Sequence, residues 1–118
     1  MSNPFVTVVE MPGYISRSTK LLTLQQRQAI VDHLAALPTA GDLVAGGGGV
    51  RKLRWAAPGR RKSGGVRVIH FFADERSPIF LVNIFAKNEK ENYSDAELTA
   101  IRRLAKLLVD SYKPRSVK

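Results

Sequence analysis

The chain has 118 residues, 44% hydrophobic and 25% charged, which fits one globular domain spanning 1–118 with a modest core. A formal net charge of +9 points to a polyanionic partner. With no cysteine and two distant histidines, His33 and His70, neither disulfides, a thiolate nucleophile, a metal site nor a cofactor is expected.

Residues 5–10 (FVTVVE) are short and β-branched and read as a strand. Nothing before or within them has the basic-then-apolar pattern of a secretory signal, and no apolar run approaches the roughly 18 residues of a membrane span. A cytoplasmic protein without a membrane partner is the expectation. Met11-Pro12-Gly13 breaks the strand, and a short helix follows around residues 14–22. A second helix opens at Thr23, where Gln26 completes a capping-box spacing; Leu24, Ile30, Val31, Leu34 and Leu37 form its apolar stripe and Pro38 ends it. Residues 41–49 (GDLVAGGGG) read as a flexible connection, without the Lys-Ser/Thr that a P-loop needs. Three strands follow at 50–56, 65–73 and 79–86, joined by turn-rich links at 57–64 and 74–78. The last helix starts at Ser94, capped with Glu97, and its stripe is Leu98, Ile101, Leu104, Ala105, Leu108 and Tyr112. The order is β-α-α-β-β-β-α: an α+β fold with a small, curved antiparallel sheet and helices packed on one face.

The charge is concentrated. Arg51, Lys52, Arg54, Arg60, Arg61, Lys62 and Arg67 fall within residues 50–67, and no Asp or Glu occurs between Asp42 and Asp74. Strand alternation divides the segment, because side chains two apart share a face. Val66, Val68 and Phe72, with Phe80, Val82, Ile84 and Ala86, suit the helix-covered side, as do Leu53 and Trp55. The opposite face then displays Lys52, Arg54, Arg67, Asn83 and Lys87, with Phe71 and Phe85 among them. Cations neutralise phosphates and aromatic faces accept unstacked bases, a combination suited to single-stranded RNA. A polar face merely solvated by water is the alternative that the pattern leaves open. By parity His70 lies with Val66 and Val68, where a lone histidine is more often structural than catalytic.

The strings GGVRKLRWAAPGRRKSGGVRVIHFF and FLVNIFAKNEKENYS resemble the RelE/HigB superfamily of bacterial toxins from type II toxin–antitoxin systems, with the HigB-like branch nearest. The resemblance runs over residues 23–113, with its motif core at 50–93. It implies a small RelE-like fold and a metal-independent endoribonuclease that cleaves mRNA on the ribosome, the substrate's 2′-OH acting as nucleophile. It also implies a co-encoded antitoxin, often a helix-turn-helix DNA-binding protein, alongside ribosome and mRNA as partners. Carried over by motif, Lys52 and Arg54 (RKLR), Arg67 (SGGVR) and Lys87 (AKNE) are the candidate catalytic set, and Arg67 the candidate transition-state stabiliser. Arg51, Arg60, Arg61, Lys62, Phe71 and Phe85 are the candidate RNA contacts. Relatives carry Tyr where this chain has His70 and Phe71, so His70 and Tyr93 are secondary candidates for proton transfer. Two other functions remain in view: a non-enzymatic, ParE-like inhibitor of gyrase, and an RNA- or ribosome-binding module without cleavage activity.

Overall fold

A computed structural model describes residues 6–56, 65–87, 89 and 93–111. They form β1 (Val8–Glu10), α1 (Pro12–Leu21), α2 (Leu24–Ala36), β2 (Asp42–Leu43), β3 (Val50–Trp55), β4 (Val66–Phe72), β5 (Ile79–Ala86) and α3 (Asp95–Ser111). The α+β class and the seven expected elements are present. The basic loop with Arg60, Arg61 and Lys62 lies outside the described residues, as do Phe5 and Tyr112.

Local chemistry sets the helix starts. Pro12 opens α1 where its missing N–H would have had no helical partner. At α2, Thr23 Oγ1 accepts the Gln26 N–H at 3.1 Å while the Gln26 side chain accepts the Thr23 N–H at 2.8 Å. Ser94 and Glu97 repeat the reciprocal pair before α3, at 3.1 and 2.8 Å. The α2 stripe is narrower than expected: Ile30 and Leu34 are buried, but Leu24 is 77% exposed and Leu37 55%. Leu24 stands roughly 120° around the axis from Ile30, and Leu37 has already left helical geometry at the C-cap.

The five-stranded sheet has the order β1-β5-β4-β3-β2. Three neighbouring pairs are antiparallel, but β1 lies parallel to β5, pairing Val8–Glu10 with residues 79–81, so the sheet is mixed. The helices also occupy both faces rather than one. α1 and α2 cover Leu53, Val66, Val68, Ile79, Leu81 and Ile84, whereas Ala105 and Leu108 of α3 cover Val50, Ile69, Phe71 and Phe80. The cause lies in β4 and β5, whose successive residues are apolar in both directions, so that either bare face would leave large side chains in water. Burying each such side chain contributes about 1.5–3 kcal/mol.

A bulge completes the correction. Ile69 pairs with Asn83 but His70 pairs with Leu81, which leaves Val82 as the extra residue. Phe80 and Val82 therefore lie on the α3 side, opposite to the face expected for them, while Ile84 keeps its place with α1 and α2.

The glycine run is ordered rather than a flexible connection. Val44 N–H bonds to the Val50 carbonyl at 2.9 Å, closing a β2–β3 hairpin whose turn needs positive φ at Gly46 (74°), Gly48 (71°) and Gly49 (104°). Arg102 of α3 donates to the Gly46 carbonyl at 2.8 Å and pins the turn against the helix. Gly41, at φ 92°, passes so close to β3 that a Cβ there would stand 2.6 Å from the Lys52 carbonyl oxygen. His70 anchors the same region from the other face: fully buried, it donates from Nε2 to the Ala40 carbonyl at 2.9 Å, and buried Nδ1 has no partner. Burial pushes its pKa down to about 4, and the positive charges of Arg51 and His33 add to the shift against the Ala40 hydrogen bond.

Two stability measurements follow. Gly41→Ala combines positive φ with backbone overlap and should lower urea-derived stability by about 2 kcal/mol or more. His70 stays neutral in the folded chain, whereas the unfolded chain protonates it below about pH 6.5. Its contribution is thus complete above that pH and is lost as pH falls toward 4. His70→Gln keeps an amide donor but binds no proton. Its stability loss between pH 7 and pH 4 should be smaller than that of the wild type by on the order of 2 kcal/mol.

Candidate functional site

The strand register arranges the α3-side face of the sheet in three cross-strand rows, since directly opposed residues point the same way. Val50, Phe71 and Phe80 form the first, buried beneath Ala105 and Leu108. Lys52, Ile69 and Asn83 form the second, and Arg54, Arg67 and Phe85 the third. The face thus changes over three rows from a helix-covered apolar core to a cationic row in which Arg54 is exposed and Arg67 and Phe85 are half-buried.

Arg54 is exposed and stands opposite Arg67 in register; Lys52 lies two residues along the same face. Half-buried Arg67 donates from Nη1 to its neighbouring Val66 carbonyl at 3.3 Å. Among the described residues, no carboxylate pairs with Lys52, Arg54 or Lys87. Lys87 is exposed just beyond β5, its N–H bonded to the Gly65 carbonyl at 3.1 Å, which brings the end of β5 beside the start of β4. Three of the four expected catalytic residues therefore share one sheet face, and the fourth sits at its open end.

Other expected residues fall elsewhere. Arg51 has the opposite parity from Lys52; its Nη1 donates to the Gly41 carbonyl at 3.2 Å, and it pairs in register with His70 on the α1/α2 side. His70 itself is sealed in that side of the sheet. Phe71 has the expected parity but is only 3% exposed, because α3 covers its row. It packs in the core and offers no ring face to a base.

Phe85 and Tyr93 do come to the open end. Their rings meet edge-on, with centroids 6.3 Å apart. Together with Ile69, Val82, Asn83 and Ile101 they line a cleft of about 200 Å³. The bulge aims both Val82 and Asn83 into that cleft, which alternation alone would forbid. Burial, aided by the charge of Glu97, pushes the Tyr93 hydroxyl up to about 12, so it is a hydrogen-bond donor at neutral pH and not a base.

Two residues at this end carried no local signal. Arg17 of α1 donates from Nε to the Ile84 carbonyl at 2.7 Å, stands 5.4 Å from the Phe85 ring centroid and pairs with Glu89. Its partners are 67 and 72 residues away in sequence, beyond the reach of any spacing rule.

The model of the RelE toxin of the RelE/RelB toxin–antitoxin system matches residues 16–115. That span takes in α1 from residue 16 onward, the whole of α2 and α3 and the strands β2 to β5, and with them every residue of the cationic face. The chain belongs to the RelE family and is a toxin of a toxin–antitoxin system.

Proposed function

We propose that this toxin cleaves mRNA on the ribosome. The reading is carried by the Arg54–Arg67 pairing. Like charges directly opposite in an antiparallel pair destabilise it by roughly 0.2–1 kcal/mol, and Lys52 adds a third cation on the same face. A phosphate bound over this face turns that repulsion into attraction. The attraction grows as the phosphate gains negative charge in a transition state, which is the differential that catalysis requires.

The chemistry uses the substrate's own nucleophile. The 2′-OH of one nucleotide attacks the adjacent phosphorus and the bond to the next nucleotide's 5′-oxygen breaks. A 2′,3′-cyclic phosphate remains, the 2′ proton is removed and a proton reaches the leaving oxygen. In this reading Arg54 and Arg67 hold the phosphate oxygens, Lys52 and Lys87 are the proton-transfer candidates, and the mechanism needs no metal. Arg60, Arg61 and Lys62 steer the RNA backbone. Phe85 and Tyr93 offer the aromatic surface for an unstacked base. Among the described residues the cationic face brings together no paired histidines or carboxylates of the kind a free-standing ribonuclease uses, and in this reading in-line alignment is left to the ribosome, which would supply much of the rate. A helix-turn-helix antitoxin is the expected partner in the cytoplasm.

Mapping mRNA 5′ ends in a translating extract, with and without ribosomes, tests this reading. Cleavage should appear only on translated messages. Arg67→Ala should lower its rate by about 10²-fold or more, while Arg51→Ala, altered on the other face, should stay within about threefold of wild type. Arg54→Thr should lose cleavage while its stability in urea denaturation stays within about 0.5 kcal/mol of wild type, because Arg54 is an exposed side chain. Intact mRNA with double-strand DNA breaks would indicate gyrase poisoning instead, and ribosome binding without either lesion a binding module.

A further inference from the structure

The end of β5 is held by an element that the cationic face does not include. Among the described residues, β1 pairs with β5 at residues 79–81 and no strand lies along that edge beyond Val82. Arg17 reaches it from α1, donating to the Ile84 carbonyl at 2.7 Å with its guanidinium 5.4 Å from the Phe85 ring centroid. The same guanidinium pairs with Glu89 through Nη2 and Oε1. Glu89 in turn accepts the Ala86 N–H on Oε1 at 2.8 Å and returns its own N–H to the Ala86 carbonyl at 3.0 Å. Ala86 and Glu89 are thus bonded to each other in both directions and anchored to α1 through one carboxylate, with Lys87 directly after Ala86.

We infer that Arg17 and Glu89 form a clamp that fixes where Lys87 and Phe85 meet the RNA, making Arg17 a positioning residue for the proposed cleavage. The inference rests on the ribonuclease reading of the same site. The two side chains are 37% and 42% exposed, and ion pairs this open contribute little to global stability. Their effect falls on local geometry, where a displacement of about 1 Å can cost as much as 10²-fold in rate. Hydrogen bonds from Arg17 and the Ala86 N–H hold the Glu89 carboxyl below its ordinary range, which keeps the clamp charged at neutral pH. Arg17→Lys retains a positive charge but not the planar fork that reaches Ile84 and Glu89 together.

Single-turnover cleavage of ribosome-bound mRNA, paired with amide hydrogen exchange at Ala86 and Lys87, tests the clamp. Arg17→Ala should lower the rate at saturating ribosomes by roughly 10–100-fold, with KM within about twofold of wild type and Tm unchanged. Arg17→Lys should not restore the rate, Glu89→Ala should lose in the same parameter, and the double variant should be no worse than Arg17→Ala. Both amides should exchange faster in each variant, including Glu89→Gln, whose exposed site leaves folding intact. A rise in KM alone, or full rescue by Arg17→Lys, would make Arg17 a simple charge contact and overturn the clamp. Unchanged rate and exchange would overturn it equally. If the wild type cut nothing on ribosomes, the ribonuclease reading would fall, and with it the positioning role in cleavage. Exchange at Ala86 and Lys87 would still decide whether the clamp itself exists.

Discussion

Strands β4 and β5 carry apolar side chains on both faces, and the rest of the fold is arranged to cover them. Val66, Val68, Ile79, Leu81 and Ile84 look toward α1 and α2, while Ile69, Phe71 and Phe80 look toward α3. No arrangement with all helices on one side satisfies both sets. The helix α3 covers the Val50–Phe71–Phe80 row and, in the Arg54–Arg67–Phe85 row, meets Phe85 across a cleft that Ile101 also lines, while Arg54 is exposed. Placing two arginines opposite one another is unfavourable for the sheet, and the buried rows beside them supply the stability that makes it tolerable.

The bulge at Val82 links the two halves of this arrangement. It lets Phe80 enter the α3 core while Ile84 stays with α1 and α2, and it turns Asn83 into the cleft beside Phe85 and Tyr93. Without it, alternation through β5 would face either Phe80 or Phe85 away from α3. The strand therefore serves both as a core element and as one wall of the candidate RNA surface. Beyond β1 its free edge is covered by α1, and Arg17 completes the covering with a hydrogen bond to Ile84.

Much of the site was legible because β-strand parity is a local rule. Lys52 and Arg54 alternate with Leu53 and Trp55, and Arg67 alternates with Val66 and Val68, so their common face followed from the spacing alone. Both capping boxes were legible for the same reason, since each is a contact across three residues. Phe71 illustrates the boundary. Its side of the sheet was correctly assigned, but whether that side was open depended on Ala105 and Leu108, more than thirty residues downstream. Arg51 was grouped with its neighbours by charge, although its parity already set it apart.

By itself, then, the sequence determined which residues can share a face, where helices begin and which family's motif the strands carry. The β1–β5 parallel pairing, the bulge, the ordered glycine turn and the Arg17–Glu89 clamp were decided only by tertiary structure. Each depends on a contact between segments far apart in the chain or on a register shift that leaves no trace in spacing. Parity fixes the direction of a side chain, but packing decides whether that direction leads to solvent, to a core or to a substrate.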